Sequence, residues 1–171
     1  MSLYRQTLVQ QLKMLHNLDR WLDRAVSFAE GKKFDPNTLL AARLAPDQFP
    51  LGRQVQAVCD NAKVTAARLT GQAPPSHPDT ETTVQELKAR IATVVAYLGT
   101  FSEADFAGAE GRVIELPFAP GMVIRGADYA VDMALPNFYF HATTAYAILR
   151  HNGVDLGKRD FLGAIALSPK G

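Results

Sequence analysis

Four separate stretches of this chain carry apolar residues at α-helical spacing, and that repetition restricts the fold more than any other feature. Leu8, Leu12, Leu15, Leu22, Val26 and Ala29 share one face, with Asp19 as its polar exception. The period predicts a long amphipathic helix from about Leu3 to Glu30, on the order of 40 Å at 1.5 Å per residue, stopped by Gly31. Leu51, Val55, Val58, Ala62 and Leu69 predict a second helix from Leu51 to Leu69, closed by Thr70-Gly71. Val84, Leu87, Ile91, Val94 and Leu98 predict a third, capped by Asp79 or Thr80. The fourth is expected from about Ala127 to His151. It contains Pro136, which must kink or interrupt it because proline lacks the amide donor and crowds the preceding turn. Amphipathic helices can bury such stripes only against one another, so the expected fold is an all-α four-helix bundle.

The connecting segments carry their own signals. Asp35-Pro36 sets a capping side chain before a proline and predicts a short helix through Leu44. Ala45 to Pro50 is turn chemistry, and Ala73 to Asp79, with Pro74, Pro75 and Pro78, reads as a rigid connector. From Arg112 to Arg125 the period changes. Val113 to Leu116 and Met122 to Ile124 flank a proline- and glycine-containing turn, which predicts a short β-hairpin (about 112–125) before the last long helix. Arg150 and His151 complement the dipole in the last turn of that helix, and Asn152-Gly153 suits its end. The tail, 154–171, is partly apolar at Phe161 and Leu162 and is expected to dock before it frays. All of this fits one domain, 1–171.

Composition excludes several classes of function. A net charge of +1 offers no global field for nucleic acid or an anionic membrane, and the basic residues do not cluster with aromatics. No run of about 18 apolar residues is present, so no membrane partner is expected. Arg5, Lys13, Asp19 and Arg20 interrupt the N-terminal leucines where a secretory segment would be continuous. A lone cysteine, Cys59, suits a reducing compartment. The expectation is a cytoplasmic protein.

Phosphate-binding glycine loops, paired-cysteine zinc spacings, HExxH and GxSxG are absent from the sequence. Among four histidines, His16 reads as a boundary residue, His77 as exposed in the proline connector, and His151 as part of a helix end. His141 differs, lying between Phe140 and Ala142 in an apolar region. Asn137, His141 and Thr144 fall at i, i+4 and i+7, on one face, and polar groups there need partners if buried. The first reading is a core histidine bonded to a neighbouring helix, the second a ligand pocket lined by Asn137 and His141, the third a metal site. Gln56, Cys59, Asp60 and Lys63 of the second helix are the expected facing groups, although Asp60 with Lys63 also reads as a solvated ion pair. Cys59 reads as an inert buried thiol. Arg43, Asp47 and Arg53 flank the proline-containing turn, either locking it or binding an anion.

The runs Ala42-Arg43-Leu44-Ala45-Pro46-Asp47-Gln48-Phe49-Pro50-Leu51-Gly52-Arg53-Gln54-Val55-Gln56, Pro78-Asp79-Thr80-Glu81-Thr82-Thr83 and Leu135-Pro136-Asn137-Phe138-Tyr139-Phe140-His141 through Leu149-Arg150-His151-Asn152-Gly153 resemble an uncharacterised bacterial family of unknown function. That family is similar to the DinB/YfiT-like superfamily of metalloenzyme bundles. The resemblance implies a four-helix bundle, often a homodimer. It also implies a divalent metal held by one histidine of the second helix and two of an HxxxH on the last, and in some members thiol-dependent transferase or isomerase activity. Carried over, His141 falls on the second histidine of HxxxH, Asn137 stands at the first, and Gln56 or Ala57 takes the place on the second helix. One imidazole among amides is a poor site for a first-row metal, so no cofactor is expected, with Zn or Ni the alternative.

The expected function is therefore an uncharacterised DinB-like bundle with a degenerate metal site, binding a small molecule through Asn137, His141, Gln56, Asp60 and Thr144. Two alternatives stand beside it. One is a thiol- or metal-dependent transferase or hydrolase, with His141 as general base and Asp60 as its orienter. The other is a non-enzymatic homodimer acting through an interaction surface of exposed aromatics.

Overall fold

The computed structural model describes residues 2–170. A short helix, α1 (Leu3–Gln6), runs into the long α2 (Leu8–Lys32) through Thr7, whose carbonyl still accepts from Gln11 and whose hydroxyl bonds back to Leu3. The predicted first helix is present but Gly31 does not stop it. Lys33, in the left-handed region at φ 62°, closes it, its N–H returning to the carbonyls of Ala29 and Glu30. The segment predicted as a helix from Asp35 to Leu44 is a shorter 3-10 turn, Pro36–Ala41, capped by Asp35 on the Asn37 amide.

Helix α3 (Leu51–Thr70) matches its predicted bounds and ends at Gly71. Helix α4 (Val84–Leu98) starts later than Asp79 or Thr80, because Asp79 is held in ion pairs and the cap is built at Thr83. There Thr83 accepts from the Glu86 amide while Glu86 accepts from the Thr83 amide, satisfying two end groups reciprocally. The hairpin is confirmed, with β1 (Val113–Glu115) antiparallel to β2 (Val123–Arg125) and Ile114 opposite Ile124. It joins the next helix at Gly126, where a Cβ would stand 1.9 Å from the Ala109 carbonyl oxygen, so only glycine allows this approach.

The last long helix is broken in the way Pro136 demands. A turn, α5 (Gly126–Asp128), leads into a π-helical segment, Tyr129–Ala134, and then α6 (Leu135–His151). Leu135 donates to the Ala130 carbonyl, an i to i−5 bond. The widened turn lies directly before Pro136, which has no N–H to donate and whose ring crowds the turn behind it. After α6, Val154 and Leu156 are buried and α7 (Lys158–Leu162) lays Phe161 on Trp21, with ring centroids 5.5 Å apart.

Helix α3 packs chiefly on α6 and α4, and α2 packs on α4, α3 and α6, which makes the four-helix bundle. Its core runs from Leu8, Leu15 and Leu22 through Val55, Val58 and Leu69 to Leu87, Val94, Phe138 and Ile148. None of the helices is long and apolar enough to cross a membrane among the described residues.

Candidate functional site

Helix α3 presents two polar stripes, and the geometry of the helix separates them. At 100° per residue Gln54 and Asn61 fall about 20° apart, whereas Gln56, Asp60 and Lys63 cluster on roughly the opposite side. The first stripe meets α6. Gln54 donates through Nε2 to the Phe49 carbonyl at 3.0 Å, which orients its amide and turns Oε1 toward Nδ1 of His141 at 2.7 Å. An amide oxygen only accepts, so Nδ1 carries the proton and Nε2 the lone pair. Among the described residues Nε2 has no hydrogen-bond partner.

Aromatic rings enclose the imidazole. Phe49 stacks on it with 13° between the planes, Phe140 meets it edge-on at 5.2 Å, and both phenylalanines are exposed. The Arg53 guanidinium lies over the Phe49 ring, 5.6 Å from its centre. Burial, and then the charge of Arg53, hold His141 below the ordinary 6.5 and favour neutral imidazole at neutral pH. One turn away Asn137 donates to Asn61 Oδ1 at 2.5 Å, and Asn61 donates to the Ala57 carbonyl.

Thr144, expected in this group, turns its hydroxyl to the Phe140 carbonyl of its own helix at 2.8 Å. Gln56 and Asp60 do not face Asn137 and His141 either, because their stripe points to α4 and the proline connector. Gln56 donates to Glu81 at 2.9 Å. Asp60 pairs with Arg90 at 2.8 Å and with Lys63 at 2.9 Å. Arg90, only 2% exposed in its side chain, also holds Asp79, Glu81 and the Pro78 carbonyl, while Arg53 pairs with Asp79. Connector and helices are thus pinned by one balanced ion network rather than by a backbone ladder. Asp60 and Lys63 belong to it and are not a simple solvated pair.

Other expectations shift in the same region. His77 is half-buried beside Lys63, not exposed, and burial with the charges of Lys63 and Arg90 lowers its pKa. His16 is exposed rather than a boundary residue. Cys59 is fully buried, and burial pushes its thiol up to about 12, which makes it a poor nucleophile.

Sequence reasoning missed Gln54, Asn61 and Phe49. A signal was available, since Gln54, Asn61 and Thr65 recur at i, i+7 and i+11 on α3, the period shared by Asn137, His141 and Thr144 on α6. A metal at this place would meet one imidazole and the amides of Gln54, Asn61 and Asn137. Amide oxygens are weak donors to Zn or Ni, Nδ1 of His141 is committed to Gln54, and the two asparagines bond each other. The donor set does not fit such an ion. Among the described residues no three or more His, Cys, Asp or Glu side chains are gathered to hold one.

Residues 3–162 match the family model described as a domain of unknown function, DUF1993. Among solved structures, the chain is similar to the crystal structure of a DinB family member protein from Shewanella denitrificans, with 54% identity and a TM-score of 0.95. The match covers 98% of this chain and 96% of that one. No curated protein matches.

Proposed function

The chain belongs to the family described as a domain of unknown function, DUF1993, and from that premise we propose that it is a metal-independent, DinB-like binding protein whose site is centred on His141. The observation that carries this reading is the relay from the Phe49 carbonyl through Gln54 to His141. It fixes one tautomer and leaves Nε2 as a neutral acceptor between two aromatic rings. A ligand suited to it offers an O–H or N–H to Nε2 and an apolar or planar surface to Phe49 and Phe140. The neighbouring Asn61–Asn137 pair supplies a further polar contact.

If the site does chemistry, the same lone pair makes His141 a general base, and Gln54 takes the orienting role expected of Asp60. The working unit in this proposal is a cytoplasmic homodimer. Support for the dimer is the exposure of large apolar side chains, Leu44, Phe49, Val131 and Phe140 among them.

A thermal-shift screen of the purified protein against a metabolite library tests the reading. At least one compound should raise the melting temperature of wild type, and His141→Ala should abolish that shift while keeping the helical signal. Absence of any stabilising compound removes the support for a binding role. Stoichiometric Zn or Ni in purified protein would overturn the metal-independent part.

A further inference from the structure

Residues from both ends of the sequence build a second polar cleft, unconnected to His141 by any contact above. Arg20 and Arg24 lie one turn apart on α2, and α7 brings Arg159 beside them, around a cleft of about 290 Å³ that Trp21 and Gly163 also line. The wall contributed by α7 is fastened to α2 at several points. Trp21 Nε1 donates to the Asp160 carbonyl at 3.1 Å, and the buried Asn17 amide donates to the Phe161 carbonyl at 2.8 Å. Gly163, at φ 63°, passes so close that a Cβ there would lie 2.5 Å from Asn17 Oδ1. The backbone of this wall is therefore held in register with the arginines of α2.

The charges in the cleft are unbalanced. Arg24 pairs with the Asp160 carboxylate at 3.0 Å and donates to the Asp155 carbonyl at 2.8 Å. The Arg20 guanidinium bonds only to the neutral Asn17, and the Arg159 guanidinium has no hydrogen bond or ion pair among the described residues. Three guanidiniums face one carboxylate, which leaves an excess of two positive charges. Each guanidinium has five N–H donors in a planar fork that matches phosphate oxygens. A phosphate monoester carries about −1.5 to −2 at neutral pH, enough to balance that excess, whereas a single carboxylate is not. The volume falls just under the usual range for ligand pockets, roughly 300–1,000 Å³, as suits a group no larger than a phosphate or a small phosphate ester.

We propose that this cleft, formed by Arg20, Arg24 and Arg159 over Trp21, binds the phosphate group of a small molecule. The proposal stands independently of the His141 site. Inorganic phosphate and a small phosphate ester share the recognised chemistry, and the test separates them.

The test is isothermal titration calorimetry of the full chain with inorganic phosphate and with glycerol 3-phosphate, at ionic strength held constant with sodium chloride. Fluorescence of Trp21, the sole tryptophan, is followed in parallel as a marker of place. Saturable binding is expected for both, tighter for the ester if the cleft holds its organic part and tighter for inorganic phosphate if it does not. Arg159→Gln, at an exposed side chain with no partner, should leave the melting temperature unchanged and weaken binding at least about tenfold. Arg20→Gln should weaken it in the same sense, and His141→Ala should bind as wild type does. No saturable heat with either compound, or an Arg159→Gln isotherm that overlays wild type, would overturn the proposal.

Discussion

Nδ1 of His141 lies 2.7 Å from Oε1 of Gln54, and the Phe49 carbonyl 3.0 Å from Gln54 Nε2 prevents that amide from turning round. Gln54 is thus an acceptor toward the imidazole, and the proton on Nδ1 follows. Replacing it by a carboxylate keeps the acceptor and adds a charge that favours imidazolium. Gln54→Glu is expected to move the His141 titration upward relative to wild type, followed by nitrogen and proton NMR of the ring. A titration unmoved by that charge would mean the two side chains do not meet in solution.

Arg53, whose guanidinium lies over Phe49, acts on the same imidazole through its charge. Burial is the larger cause of the lowered His141 pKa and Arg53 the second. Arg53→Gln should therefore bring the pKa closer to 6.5 without reaching it. The sign for stability follows from linkage. Between the ordinary 6.5 and the lowered folded value the unfolded chain binds more protons, so folding weakens as pH falls through that window. The variant should narrow the window, which denaturant unfolding at stepped pH can read. An unchanged window would remove Arg53 from the electrostatics of the site.

The ion network around Arg90 predicts a second, more acidic sensitivity. Burial pushes the Glu81 carboxyl up, but hydrogen bonds from Arg90, from its own backbone amide and from Gln56 outweigh it and hold the group below 4.5. Its contribution is complete above 4.5 and is lost as pH falls through the lowered folded value. Glu81→Gln should flatten this acid limb of the stability curve. Arg90→Ala should cost about 3 kcal/mol at neutral pH, the low end for a broken buried pair, because Asp60 and Asp79 keep contact with water. Urea unfolding measures both.

The bundle was legible because its evidence is periodic. Leu51, Val55, Val58, Ala62 and Leu69 needed nothing beyond helical spacing to define the buried face of α3, and Pro136 alone required the break that the structure resolves as a π-helical turn. The site was legible only on α6, where Asn137 and His141 stand out against apolar neighbours. On α3 polar residues occupy both sides of the helix. Choosing between Gln54 with Asn61 and Gln56 with Asp60 required knowing which side α6 covers, a tertiary fact that local spacing does not contain. Ion pairing decided it, since Arg90 and the connector acids claim Asp60 and Gln56. The late start of α4 has the same origin, because Asp79 serves Arg53 and Arg90 before it can serve as a cap.

The amide-rich character of the His141 site leads to a gain of function. Asn137 and His141 are four residues apart on α6, the spacing at which two imidazoles project from one helix face toward a shared ion. Gln54, not Gln56, is the α3 side chain that reaches His141. Substituting Gln54→His together with Asn137→His therefore sets three imidazoles around the space now filled by amide contacts. It also frees Nδ1 of His141 from the amide oxygen. Three nitrogen donors with an open fourth position suit Zn or Ni. The double variant should carry near-stoichiometric metal by elemental analysis and melt at a higher temperature with Zn than with a chelator, since an ion bound only to the folded state stabilises it by mass action. The pair Gln56→His and Asn137→His should do neither, because residue 56 faces Glu81. Metal retention by the second pair and not the first would reverse the assignment of which α3 stripe faces α6.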